Sequence, residues 1–387
     1  AGDAFNEEVR FAKGEFFEWK SISSNESRIR LEGNPEVFLK NIASQENKIS
    51  TGFMPVNSEK KISPTKTSED IHIASQAPMY LRMLKKQDKR SLAYKTSKNI
   101  VVTRYISNTN EMAGKFYCQK LLLEMKPQAQ TKKMEISYLK AQENLKWEGK
   151  EVKGIAEELI YQDFQGENRL TLSKNVKTET QDGKISADTI HYYTGREIVE
   201  GFGEPVKLES KQLSATGKVL RYFRKQDCME IQGSPAHIWQ ENGKNNDITA
   251  PQITYWRTTE KISAIKGVEL VFTASDKDFS FLESAEKNPE SKESAARYRL
   301  QSEEIHAEVN TKEKTIRSFE TQGNVFIKKI QDEKSPQPME AKGKQLLYRH
   351  QQGVLYGEPA EIFYDGNTLV SSEFFFSTSK KEVLCQG

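Results

Sequence analysis

The 387-residue chain is short of cysteine, of long apolar runs and of helical periodicity, and each shortage excludes a class of protein. Its three cysteines (Cys118, Cys228 and Cys385) lie far apart and form no Cys-x-x-Cys pair, which excludes a zinc knuckle or a dithiol redox motif. One disulfide is compatible with an oxidising compartment, and its pairing is left open. Apolar runs such as residues 121–123 and 374–376 are far too short to cross a bilayer as a helix. No stretch holds a 3.6-residue period over three turns with caps at both ends. Hydrophobic residues make up 36% of the chain and mean hydropathy is −0.74, polar for a compact enzyme with a thick α/β core.

Catalytic signatures are missing as well. There is no HExxH, GxSxG, Walker loop or GxGxxG, and Gly201-Phe-Gly203 reads as a strand corner. The five histidines (His72, His191, His237, His306 and His350) are scattered, and alternation turns His191, His237 and His306 outward from apolar neighbours. Adjacent carboxylates such as Glu157-Glu158 are of the kind carried on solvated strand ends. The expectation is a protein that is not an enzyme, with no metal and no cofactor.

What is present is aromatic. Phe, Tyr and Trp supply 10% of the chain and recur along its whole length, which excludes full disorder. An aromatic-rich chain of low total apolar content fits strands with one buried face each. Net charge is only +3, but residues 60–146 hold 18 basic and 7 acidic side chains. Such a segment attracts phosphorylated headgroups or forms a solvated sheet face. Nucleic acid is not expected as a partner, because Tyr80, Tyr94, Tyr105 and Tyr117 do not interleave with Arg as a stacking platform would. The chain opens Ala1-Gly-Asp with neither Met nor an apolar signal region. It reads as a mature chain whose export signal has been removed.

The sequence repeats. Gly203-Glu-Pro-Val-Lys-Leu is echoed by Gly233-Ser-Pro-Ala-His-Ile and Gly357-Glu-Pro-Ala-Glu-Ile, with looser copies at Gly33-Asn-Pro and Gly323-Asn-Val. Between these lies a second element, in Ala156-Glu-Glu-Leu-Ile-Tyr161, Ala187-Asp-Thr-Ile-His-Tyr192 and Ala250-Pro-Gln-Ile-Thr-Tyr255. Both alternate apolar and polar residues, the period of a half-buried strand. The unit of roughly 30 residues is strand, turn, strand, turn, with glycine at a bulge or corner and proline where no ladder hydrogen bond is donated. Strands of about 6–8 residues are expected, roughly 25 of them at about 14 residues per strand and turn. Residues 57–70 and 284–296 break the pattern and read as insertions. The division expected is an irregular N-terminal β sub-domain, 1–115, followed by a repeat array, 116–387.

From Phe116 onward this succession resembles the OstA-like family of periplasmic lipopolysaccharide-transport proteins, which comprises LptA, LptC and the soluble N-terminal domain of LptD. The resemblance is carried by Tyr117-Cys-Gln-Lys-Leu-Leu-Leu, Ile136-Ser-Tyr-Leu-Lys-Ala-Gln-Glu-Asn-Leu, Leu170-Thr-Leu-Ser-Lys-Asn-Val, Ile185-Ser-Ala-Asp-Thr-Ile-His-Tyr and the glycine repeats. It covers about 270 residues, and the chain is about twice as long as a single bridge protein of that family. It implies an elongated antiparallel β-jellyroll, a rolled or V-shaped sheet open along one side, whose apolar inner face holds acyl chains. The implied function is a non-enzymatic periplasmic bridge that passes lipopolysaccharide or a similar glycolipid toward the outer membrane. The implied partners are inner-membrane and outer-membrane jellyroll components, joined by edge-strand pairing, or a second copy joined head to tail. The alternatives are a β-solenoid or sandwich that binds or cleaves surface polysaccharide, and a structural surface repeat protein.

The phase of the repeats places a lipid-facing row at Ile190, Tyr192, Val206, Leu208, Leu220, Tyr222, Met229, Ile231 and Ile238. The row continues through Ile253, Tyr255, Leu270, Phe272, Val325, Ile327, Leu346, Tyr348 and Ile362. An incompletely filled trough would gain roughly 0.8 kcal/mol for each ligand methylene it buries. Headgroup steering is assigned to Lys85, Lys86, Lys89 and Arg90. The strand-prone segment 369–378 is expected to be the end that pairs with a partner.

Overall fold

Alternation gives each segment one wet face and one dry one, and the computed structural model is all-β, with 25 strands and antiparallel pairing among its described residues. Those residues are 9–43, 68–86, 89–106, 111–127, 134–150, 152–181, 183–210, 213–239, 246–275, 295–310, 315–330, 339–349, 352–364, 366–377 and 382–386. Most of both expected insertions, and His350, lie outside them.

The first strands are β1 (Val9–Lys13), β2 (Phe16–Ser23), β3 (Glu26–Glu32), β4 (Glu36–Ala43), β5 (Ser68–Ala74) and β6 (Met79–Lys86). Six longer ones follow: β7 (Lys89–Ile106), β8 (Glu111–Pro127), β9 (Met134–Gly149), β10 (Val152–Phe164), β11 (Glu167–Thr180) and β12 (Gly183–Tyr193). Next come β13 (Ile198–Ser210), β14 (Ser214–Phe223), β15 (Cys228–Trp239), β16 (Asp247–Trp256), β17 (Lys261–Ser275) and β18 (Ala295–Asn310). The last are β19 (Thr315–Gln322), β20 (Val325–Ile330), β21 (Met339–Gly343), β22 (Gln345–Arg349), β23 (Gln352–Tyr364), β24 (Asn367–Ser377) and β25 (Glu382–Gln386). Contacts divide the chain into two compact units, Ala1–Gly203 and Glu204–Gly387, so the division falls inside β13. The boundary expected after residue 115 lies within β8, which pairs with β7 and β9 on both sides of that point.

Many strands are about twice the expected length because each runs through a corner instead of reversing. In the first unit β7 pairs with β6 over its first half and with β5 over its second. Its ladder with β8 skips between Ser97 and Ile100, where Lys98 and Asn99 adopt left-handed φ values of 69° and 49°. The same pair of left-handed residues recurs at Glu143-Asn144 and Lys174-Asn175, and in the second unit at Lys266-Gly267. Asn and Gly tolerate that conformation best, so the sequence places them where the strand bends. The glycine-x-proline repeats make the other kind of corner. A Cβ on Gly233 would lie 2.6 Å from the Pro235 carbonyl oxygen, and one on Gly357 would lie 2.5 Å from the Ala360 nitrogen. The X-Pro bonds at Glu204-Pro205, Ser234-Pro235 and Glu358-Pro359 are cis.

Each unit is thereby folded along its row of corners into two leaves. In the first unit one leaf contains β2, β3, β6 and the adjoining halves of β7 to β12; the other contains β1, β4, β5 and the complementary halves. In the second unit one leaf passes from β18 through β19, β22, β23 and β24 to β25, while the other passes through β20, β21 and β23 to β24. Backbone groups freed at the corners are taken up by side chains, as unpaired buried amides would be costly. The Asn99 N–H donates to Gln119 Oε1 at 3.0 Å, and buried Ser302 donates to the carbonyls of Gln322 and Gly323 at 2.8 and 2.9 Å.

Candidate functional site

The inner faces of the leaves are the candidate site. All eighteen positions assigned to the apolar row are buried, Ile190, Tyr192, Ile253, Leu270 and Leu346 to 0% exposure. Period-two phase thus coincides with burial along this row. The filling of that face differs from expectation. In the second unit Phe272 of one leaf meets Phe319 of the other with ring centroids 6.0 Å apart, and Phe319 stacks on Tyr348 at 5.2 Å. The leaves touch there, and their own side chains fill the space. A sheet that buries one face per strand needs apolar residues at only alternate positions, so 36% hydrophobic content suffices.

In the first unit the leaves separate enough to leave a crevice of about 60 Å³. On one side Phe116, Trp147 and Val152 line it; on the other, Leu159, Leu170 and Leu172. Trp147 lies flat against Gly154, its ladder partner, where an added Cβ would come within 2.2 Å of the indole. Glycine is needed here to leave room for the ring. Arg104, Lys115 and Glu148 rim the opening, and the Glu148 carboxylate is held below the usual range by Lys146 at 2.5 Å. The phase assignment did not include these residues, although the Leu170-Thr-Leu and Phe116-Tyr-Cys alternations carry the same period-two signal. A second hollow, on the corner row of the second unit, is a broad surface depression of about 510 Å³ lined mainly by small residues such as Gly233, Ser234 and Ala250.

Polar groups gather at hairpin ends. In the second unit Asp227, at a left-handed φ of 48°, accepts hydrogen bonds from Tyr222 Oη at 2.7 Å, Arg257 Nε at 3.0 Å and Thr258 Oγ1 at 2.7 Å. Burial raises its pKa, but these donors outweigh it and leave the carboxyl below the ordinary value. In the first unit Glu167 likewise accepts from the N–H groups of Gly195 and Arg196, both at 3.1 Å, and from Arg196 Nε at 2.5 Å. His72, His191, His237 and His306 sit on separate strands, near Glu36, Thr171, Asp247 and Glu304 respectively. Among the described residues no three His, Cys, Asp or Glu side chains converge where a metal ion could be held. Cys118 and Cys228 are buried thiols and Cys385 an exposed one, all free; burial pushes the Cys118 thiol up to about 12.

Register sets the four steering residues on the last rungs shared by β6 and β7, Lys85 opposite Arg90 and Lys86 opposite Lys89. Other lysines of the basic segment form ion pairs: Lys120 with Glu143 at 2.5 Å, Lys126 with Glu135 at 3.7 Å and Lys140 with Glu158 at 3.2 Å. Tyr94 is a core residue at 1% exposure.

The apolar inner faces also reach water at the end strands. In the first unit β2 pairs only with β3 among the described residues, and Phe17 and Trp19, opposite buried Leu31 and Ile29, are 53% and 40% exposed. In the second unit residues 369–377 belong to β24, but the second half of that strand is covered by β25, and Phe374 and Phe376 are buried. Among the described residues the edge expected at 369–378 is therefore shifted to β25 and the first half of β24, where Leu369 and Val370 are exposed. No protein-family model matches the chain, and no curated protein matches it.

Proposed function

We propose that this protein is a non-enzymatic periplasmic bridge that carries the acyl chains of lipopolysaccharide, or of a similar glycolipid, between the leaves of a bent β-sheet. One observation supports the reading most directly: the apolar inner face of each unit is sealed along its middle and reaches water at defined places, the Phe116–Trp147 crevice and the two end strands. An acyl chain entering there replaces side-chain contacts between the leaves with its own, each buried methylene contributing about 0.8 kcal/mol toward parting them. The cationic cluster of Lys85, Lys86, Lys89 and Arg90 steers the phosphorylated headgroup, an effect that fades as salt screens it. Movement along the face is passive, driven by partner proteins joined at the end strands.

A photo-crosslinking amino acid placed singly at Leu159, which lines the crevice, or at its outward neighbour Ile160 tests the reading in cells with an outer membrane. Acylated glycolipid captured from position 159 and absent from position 160 is the expected result. Equal capture at both, or free glycan alone at either, overturns it.

A further inference from the structure

Apolar interiors tolerate hydroxyl groups poorly unless each finds a partner. Beside the crevice of the first unit two hydroxyls have none. Tyr161 is 5% exposed and Thr178 1% exposed, and Tyr161 Oη and Thr178 Oγ1 are both out of water with no hydrogen-bond partner. Tyr161 follows the crevice residue Leu159 by two positions on the same face and is the ladder partner of another, Leu170. Thr178, on the opposite leaf, is the ladder partner of Gly154, against which the Trp147 ring lies. One hydroxyl thus lies on each leaf, a ladder step from residues at the crevice. Burial, reinforced by Glu135 and Asp163, raises the Tyr161 phenol further above its ordinary value, so it stays protonated and able to donate.

We infer that Tyr161 and Thr178 are hydrogen-bond donors for the carbonyl oxygen of an acyl ester or amide, so that the crevice selects acylated amphiphiles over alkyl chains lacking a carbonyl. The inference rests on the carrier reading above and gives it a substrate class. An alkyl chain alone would leave both donors unsatisfied, whereas an acyl carbonyl at the depth of Leu159 and Leu170 meets them. In the second unit Tyr255, 4% exposed and likewise without a partner for its hydroxyl, presents the same chemistry.

The test compares two single-chain probes of equal length, monododecanoylglycerol and its alkyl ether, dodecylglycerol, binding to the full chain by titration calorimetry. The wild type is expected to prefer the ester about tenfold, the worth of one net hydrogen bond in a dry site. Tyr161→Phe and Thr178→Val should each cut the ester preference several-fold, leave ether binding unchanged, and hold or raise the thermal midpoint, because each removes an unsatisfied buried hydroxyl. A lowered midpoint for both variants shows that the hydroxyls already have partners and overturns the inference. So does a preference that neither variant changes, while the carrier reading survives. Failure of the wild type to bind either probe removes both.

Discussion

At the scale of single residues, the Asp227 cluster is where ionisation and fold are most tightly joined. Its carboxylate receives Tyr222, Arg257 and Thr258, and its folded-state pKa lies below the ordinary aspartate value of 3.8. A depressed folded pKa contributes stability above the unfolded value, and that contribution is lost as pH falls through the folded one. The second unit should therefore loosen in acid below about pH 4, beginning at this hairpin end. Asp227→Asn keeps a side chain that tolerates left-handed φ and removes the charge. It should cost about 1–2 kcal/mol at neutral pH and flatten the acid limb of the stability profile, read by urea unfolding between pH 3 and 7. An unchanged acid limb would show that other carboxylates govern it. The thiols offer a simpler check. Cys118 and Cys228 are buried and Cys385 is exposed, so only Cys385 should react with an aromatic disulfide reagent until urea is added.

At the scale of the strand, the corner is the unit that builds the leaves. Asn175 occupies φ 55° beside Lys174 at 67°, a backbone that costs a β-branched residue about 1–2 kcal/mol. Asn175→Val should lower stability by about that much, while Asn175→Gly should be near neutral; equal losses from the two would mean that the side chain, not the dihedral, matters there. Gly154→Val tests the other close approach. Its Cβ would also lie 2.5 Å from the backbone oxygen of Lys177, so the Trp147 ring must swing into the crevice at a cost of about 1–3 kcal/mol, with a shift in tryptophan emission. These corners explain which parts of the fold could be read from the sequence. Alternation reports the face of each residue locally, which is why positions as far apart as Ile190 and Ile362 read alike and are both buried. It is also why Gly233 and Gly357 could be recognised as places without room for a side chain. Lys98-Asn99 and Lys174-Asn175 carry turn chemistry, yet the chain bends there without reversing, because the neighbouring ladders resume on the far side after a one-residue slip, two residues standing against one. Leaf closure depends on pairs such as Phe272 and Phe319, 47 positions apart in sequence, which no local period encodes.

At the scale of the whole molecule, sheets that end must do something with their last strands. An edge strand with unpaired backbone groups and apolar side chains invites another strand, and natural sheets usually guard it with charge. β2 is guarded on one face only: Glu18 and Lys20 pair at 2.8 Å, while Phe17 and Trp19 extend the apolar inner face to the rim. In the second unit Leu369 does the same, opposite buried Ile362, and the first half of β24, beside the half that β25 covers, pairs only with β23 among the described residues. A further strand laid on either edge would gain ladder hydrogen bonds and continue the dry face at once, the arrangement by which strand addition achieves affinity. The chain should therefore associate weakly and reversibly through these edges, with itself or with a related sheet. Phe17→Lys with Trp19→Lys, or Leu369→Lys with Val370→Lys, should suppress that association with little loss of thermal stability, since all four side chains are more than a third exposed. Truncation before Phe374 would be a poor test, because that ring is part of the core. Sedimentation velocity over about a hundredfold range of concentration decides the matter. A wild-type chain that sediments as a monomer throughout, and that gives no crosslink from position 19 or 369 to any other sheet protein, would leave both edges as guarded ends and remove the means of hand-over that the proposed function requires.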